Sequence, residues 1–392
     1  MAKSYAIYAD RFFLPSGETG KGYLEVTDGK FGEFSVDKPN LEVLDYAGRG
    51  VAPGLIDTHI HGWNGNDAMD ASEDGLRTLC KDLLSCGVTS VYPSTLTGSA
   101  DELDEVCKVV KSVYDEQQAG AQEGVGAKIA GIFFEGPFFT EKYKGAQNPK
   151  YFSDPDIKLF DRWQESAGGL IKKIAFAPER KGVTEFVKQL LERNVIAAIG
   201  HSAATYAEAE AALNAGATVI NHTYNGMSGL SHREPAMAGA AFNSPDDVYA
   251  ELICDGHHVH PAAVEILIKI KSPEKVVLVT DAMRAGGLPD GDYMLGEFPA
   301  YMKDGVVRLK NEAGSLAAST LKLCDAVKNV IKWGAATPAD AVKMATATAA
   351  KSMGIENTAG SIAKGRAANF VVFSADYELL ETYVDGELGY EA

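Results

Sequence analysis

The chain has 392 residues, 46% of them hydrophobic and 23% charged, and a formal net charge of −17. That length can bury one large core or two modest ones. The acidic balance argues against nucleic acid or an anionic membrane as partner, while leaving room for a small anionic substrate held by a few local cations. No stretch approaches the roughly 18 apolar residues of a membrane span, and Met1–Asp10 lacks the apolar core of a secretory signal.

In chain order, residues 1–52 read as short strands. Tyr23–Val26 and Leu41–Leu44 are strand-like, and Asp28-Gly29-Lys30 is a hairpin signal. Residues 53–355 alternate between two periods. Apolar, strand-like runs end near His61, Pro93, Glu135, Pro178, His201, His222, Asp255 and Asp281. Helical spacing fills most of the gaps, as at Leu76–Ser85, Glu102–Tyr114, Thr184–Arg193, Tyr206–Asn214 and Ala262–Ile270. Eight such units predict an α/β fold, a (β/α)₈ TIM-like barrel. A doubly wound sheet is disfavoured, because no Gly-x-Gly-x-x-Gly turn follows the first strand. Residues 356–392 return to short strands, Asn369–Phe373 and Leu380–Val384, with a turn at Asp385-Gly386. The two ends, 1–52 and 356–392, are therefore expected to build one small β-sandwich domain. The five cysteines, Cys80, Cys86, Cys107, Cys254 and Cys324, make no metal or redox pair and are expected as reduced, mostly buried thiols of a cytoplasmic protein.

Barrel enzymes carry their chemistry at the C-terminal ends of the strands. The polar residues there are His59 and His61 on strand 1, Glu135 on strand 3, His201 on strand 5, His222 on strand 6 and Asp281 on strand 8. In a strand, residues i and i+2 face the same way, so His59 and His61 project together. Groups of this kind at the edge of buried runs need partners, and no Lys or Arg sits among these strand ends to supply them. Four imidazoles and two carboxylates suit one divalent ion, or two ions sharing a carboxylate. Zn²⁺ or Fe²⁺ fits this nitrogen and oxygen set better than Mg²⁺ or Ca²⁺. Such an ion polarises a carbonyl and activates water, and Asp281 is placed to take the proton from that water and pass it to a leaving amine.

A second cluster reads as anion capture. Asn225 and Gly226 follow strand 6 and can turn backbone N–H groups toward an oxyanion. Arg233 can fork onto a phosphate, and His258, after strand 7, can donate to it. The loop after strand 7 is a recurrent phosphate site in barrels.

Several of these blocks together resemble a known family. Asp57-Thr58-His59-Ile60-His61-Gly62 with the strand-end ligands resembles the amidohydrolase superfamily. Phe134-Glu135-Gly136-Pro137-Phe138, Ala177-Pro178-Glu179, Gly200-His201-Ser202, His222–Met227, Arg233-Glu234-Pro235, Asp255–Val259 and Leu278–Ala282 resemble its N-acetylglucosamine-6-phosphate deacetylases. The resemblance implies hydrolysis of the acetamide of a phosphorylated amino sugar. It implies Glu135, His201 and His222 as ligands of an ion present throughout that group, with Glu135 standing where other amidohydrolases bridge two metals through a modified lysine. It implies His59, His61 and Asp281 as a second site that only some members possess, and Asp281 as the acid/base. It further implies Arg233 and His258 as phosphate contacts, with Asn225 and Gly226 as backbone donors, and a homodimer in which Arg233 reaches the neighbouring subunit's site. One departure is Gln147, where some members carry a histidine against the acetyl carbonyl. A glutamine amide still donates a hydrogen bond but holds no proton charge. The competing readings are a deacetylase of the galactosamine epimer, an amidohydrolase acting on a different amide, and a non-catalytic scaffold. Scaffolds of this kind typically lose metal ligands, whereas all six are present here.

Overall fold

The computed structural model describes residues 4–311 and 314–392, so the first three residues of the expected terminal β unit lie outside it. Eight buried strands run parallel: β1 (Leu55–Ile60), β2 (Val88–Pro93), β3 (Ile132–Glu135), β4 (Ile171–Phe176), β5 (Ile196–Ile199), β6 (Val219–Ile220), β7 (Tyr249–Ile253) and β8 (Val276–Val279). Each pairs with its successor in the chain. Leu55 faces Val88 across β1 and β2, a single bridge from Ser94 to Phe133 links β2 to β3, and β3 to β8 form one continuous sheet. Beyond β8, the Asp281 N–H donates to the His59 carbonyl at 2.9 Å, which brings the last strand back to the first. Covered on both faces, β5, β6 and β8 read as continuous apolar runs, and β3 as one that ends on Glu135.

Helices α1 (Glu73–Asp82), α2 (Ala100–Ala119), α3 (Ile157–Ser166), α4 (Val183–Glu192), α5 (Tyr206–Ala215), α6 (Ala236–Phe242), α7 (Pro261–Lys271) and α8 (Leu323–Lys332) lie between or after the strands. Capping boxes open α2 at Ser99 and Glu102 and α5 at Thr205 and Glu208. Helix α3 was not foreseen. It is capped by Asp156 and buries Phe160 and Trp163, two apolar residues whose three-residue spacing is short for a pattern to show.

Both termini enter one eight-stranded sheet. Tyr5–Leu14 pairs in parallel with Glu42–Pro53, which pairs antiparallel with Phe370–Phe373. The hairpin at Asp28-Gly29 is present, with both residues left-handed. The sheet curls: the rings of Phe31 and Phe370 lie 6.2 Å apart although three strands separate them in the hydrogen-bonded order. This unit has its own core of Tyr5, Ile7, Phe12, Leu24, Val26 and Phe370. The molecule is thus a mixed α/β fold, a TIM-like barrel with a small domain.

An antiparallel three-stranded sheet, Gly291–Leu295, Phe298–Lys303 and Val306–Leu309, follows β8 where no element was expected. It packs Leu295, Ala300 and Met302 on Leu96, Met283 and Ala285. All five cysteines are free and buried.

At the entry to β1 the backbone runs against β2 so closely that a Cβ on Gly54 would lie 2.1 Å from the Thr89 hydroxyl and 2.4 Å from its methyl. Overpacking of this kind costs about 1–3 kcal/mol. Gly54→Ala is therefore expected to lower unfolding stability by about that amount, read as a lower midpoint in a denaturant titration; an unchanged midpoint would show that Thr89 moves aside freely.

Candidate metal centre and active site

The strand ends meet. Glu135, His201 and His222 form one buried triad, and His59, His61 and Asp281 form another. In the first, His201 Nε2 and His222 Nε2 are 3.0 Å apart and lie 3.2 and 3.1 Å from Glu135 Oε1. In the second, His61 Nε2 and His59 Nε2 lie 3.1 and 3.4 Å from Asp281 Oδ1. Glu135 joins them: its Oε1 faces the first triad, and its Oε2 is 3.3 Å from His61 Nε2.

The donor set fits a metal. Ligands about 2.0–2.1 Å from a tetrahedral ion stand about 3.3 Å from one another, close to the spacings seen. The tautomers agree as well. His59 Nδ1 lies 3.2 Å from Glu251 Oε2, His61 Nδ1 lies 3.2 Å from the Ser94 carbonyl, and His201 Nδ1 lies 2.9 Å from the Tyr143 carbonyl. An acceptor at Nδ1 holds the ring proton there and leaves the Nε2 lone pair facing inward. His59 Nε2 is buried with no hydrogen-bond partner among the described residues. Burial alone would push both triad carboxyls up, but in the metal-free chain the charged forms of the His59, His201, His222 and His61 rings hold Glu135 well below the usual carboxylate range. The His59 and His61 rings likewise bring Asp281 to about 2.

Three of these six residues, His201, His222 and Asp281, have left-handed backbones, with φ of 44°, 25° and 48°. Each sits just past the end of its strand, where the turn swings the side chain into the barrel mouth rather than along the sheet. The adjacent Gly226 approaches so closely that a Cβ there would lie 2.9 Å from His201 Nδ1.

A cavity of about 320 Å³ opens over the triads. Of the residues singled out in the sequence, His61, Glu135, Gln147, His201, His222, Asn225, Gly226, His258 and Asp281 line it. His59 lies fully buried behind them. Arg233 is on an exposed loop and does not line the cavity. Gln147 is engaged at both ends: its amide N–H₂ donates to Glu135 Oε2 at 2.6 Å, and its carbonyl accepts from the Thr97 N–H at 2.8 Å. His258 is pinned through Nδ1 to Asp255 Oδ2 at 2.6 Å. Asn225 lines the cavity beside Gly226. Its backbone N–H is spent on the His222 carbonyl at 2.9 Å, because the left-handed His222 closes a tight turn there.

Several contributors were missed. Asn221 donates to Glu135 Oε1 at 2.9 Å. Its position just before His222 was the available signal. Exposed Lys142 lines the cavity from the loop after β3. A lysine does lie inside the barrel, lower than the strand ends: Lys173 of β4 is fully buried and paired with Glu251 of β7. Burial raises the Glu251 carboxyl, but the Lys173 ammonium and the His59 ring outweigh it and hold it at about 2.

Comparison with known proteins gives the family and the fold. The model of the amidohydrolase family matches residues 51–389. The N-acetylglucosamine-6-phosphate deacetylase of Vibrio furnissii is 40% identical over 344 residues, 87% of this chain and 83% of the relative. The N-acetylgalactosamine-6-phosphate deacetylase of Escherichia coli O157:H7 is 35% identical over 385 residues, covering 98% of this chain and 99% of the relative. Among solved structures, a mutant N-acetyl-D-glucosamine-6-phosphate deacetylase of Mycobacterium smegmatis, in complex with N-acetyl-D-glucosamine-6-phosphate, superposes with a TM-score of 0.92 at 28% identity over 99% of both chains. The chain belongs to the amidohydrolase family, in the branch that holds the N-acetylglucosamine-6-phosphate deacetylases.

Proposed function

We infer that this chain hydrolyses the acetamide of N-acetyl-D-glucosamine 6-phosphate, giving D-glucosamine 6-phosphate and acetate. The observation that carries the reading is the pair of buried triads sharing Glu135 at the floor of a cavity of sugar-phosphate size. One or two divalent ions, Zn²⁺ or Fe²⁺, held by Glu135, His201, His222, His59, His61 and Asp281 would supply the Lewis acid that polarises the amide carbonyl and activates water. Asp281 takes the proton of the attacking water and returns it to the amine nitrogen as the C–N bond breaks. Gln147 holds the Glu135 carboxylate and faces the acyl end of the cavity. Gly226 and His258 sit on the phosphate side. Arg233 completes that side for the neighbouring subunit of a homodimer, which accounts for its exposure in a single chain.

The domain reading that goes with this is a (β/α)₈ barrel over residues 53–355 and a small β-sandwich from 1–52 and 356–392. The return of β8 to β1 and the curl of the terminal sheet support it. A cytoplasmic setting is supported by the five free thiols, and no helix among the described residues is long and apolar enough to cross a membrane.

The identity to the Escherichia coli relative favours a second reading, the galactosamine epimer. Acetate release from both phosphorylated epimers and from plain N-acetylglucosamine, with and without chelator, tests both. Turnover of neither phosphorylated sugar would sink the assignment. Arg233→Ala is expected to raise KM for the phosphorylated sugar by tenfold or more, roughly the loss of one charge-assisted contact, and to leave the plain sugar almost untouched. Equal loss for both would remove Arg233 from the phosphate site.

A further inference from the structure

We infer that the buried Lys173–Glu251 pair is a positioning device that commits His59 to metal binding and so decides whether the His59–His61–Asp281 triad takes an ion. The inference rests on the reading of that triad as a metal site.

Glu251 Oε1 accepts from the Lys173 ammonium and, at 3.3 Å, from the Thr58 hydroxyl. Lys173 also donates to the Thr58 carbonyl at 2.9 Å and lies 3.8 Å from the centre of the Phe133 ring. These contacts tie β4, β7 and β1 together beneath the mouth and fix where Glu251 Oε2 points, which is at His59 Nδ1, 3.2 Å away. Two fully buried charges lose several kcal/mol each in desolvation, and an apolar pair of similar volume would often stabilise the core as well or better. Stability alone therefore does not explain them.

Their chemical consequence is specific. A carboxylate already taking the lysine's donors offers His59 only lone pairs, so the imidazole proton resides on Nδ1 and Nε2 is bare. That bare nitrogen faces oxygens of Asp281 and Glu135 at 3.4 and 3.5 Å, with no donor among them. Lone pairs crowded at that distance in a buried site are satisfied by a cation between them. The Glu135–His201–His222 triad makes no hydrogen bond to Glu251 or Lys173, so the device acts on one triad and not the other.

Glu251→Gln in the full chain separates this role from simple packing. The glutamine keeps the volume, but its amide can donate to Nδ1, moving the ring proton to Nε2 and blocking the ligand atom. Metal-free protein would be titrated with Zn²⁺, with bound metal counted after dialysis. The native chain is expected to take two ions, and Glu251→Gln to keep the tighter one while the other weakens 10–100-fold. Nitrogen NMR of the metal-free proteins should show His59 protonated on Nδ1 in the native chain and on Nε2 in the variant. A Lys173→Met, Glu251→Leu double variant guards against misfolding, since its apolar pair should fold at least as stably, and it too should lose the weaker ion. Two ions held with native affinity by either variant, a native chain that takes only one, or an unchanged tautomer would overturn the inference. Failure of the native chain to release acetate would instead sink the proposed activity, leaving the ion count and tautomer to decide this point.

Discussion

Replacing Asp281 by asparagine is expected to lower kcat for acetate release by about 10²–10⁴-fold, the usual worth of a positioned general acid/base, with KM nearly unchanged. Asparagine matches the aspartate in shape and keeps an oxygen where Oδ1 now lies, 3.1 Å from His61 Nε2 and 3.4 Å from His59 Nε2. It cannot accept a proton from water or hand one to the departing amine. Steady-state kinetics alongside metal analysis separate the two roles of this residue. A large fall in kcat with the ions retained assigns the proton transfer to Asp281. A fall that tracks lost metal makes it a ligand only.

Glu135→Ala is expected to be the most damaging single change in the molecule. Its Oε1 lies against His201, His222 and His59 and its Oε2 against His61, so the carboxylate touches both triads, and the variant should lose both ions and all measurable acetate release. His222→Ala should spare the triad of His59, His61 and Asp281. Truncation also strands the amide of Gln147 and that of Asn221, which donate to the carboxylate at 2.6 and 2.9 Å; each buried donor left without an acceptor costs about 1–3 kcal/mol. Metal content per folded chain, with circular dichroism to confirm folding, checks the result. Retention of one tightly bound ion by Glu135→Ala would mean that the triads do not share this carboxylate.

The convergence of the two triads was legible in the sequence, because a barrel strand ends on a polar residue where its apolar run stops. His59 and His61 needed only the parity of a strand. Glu135, His201, His222 and Asp281 each stood at such a stop. What lay beneath the rim was hidden by the same rule. Lys172 and Lys173 are adjacent and look like one exposed pair, yet neighbours in a strand point to opposite faces; Lys172 emerges and Lys173 is interred. Its partner Glu251 belongs to a strand 78 positions away, a distance no local pattern spans. The sheet at 291–309 escaped because its strands are short and mostly exposed or half-exposed, although Asp304-Gly305 marks one of its turns.

The left-handed turns at His201, His222 and Asp281 have a cost outside catalysis. Each such non-glycine residue is a liability of about 1–3 kcal/mol for the metal-free fold, and glycine would sit at all three with less torsional penalty. With that strain gathered at one mouth, an ion bound there would hold the turns in place, and chelator is expected to lower the unfolding midpoint of the chain. The catalytic mouth is where this protein trades endurance for reactivity.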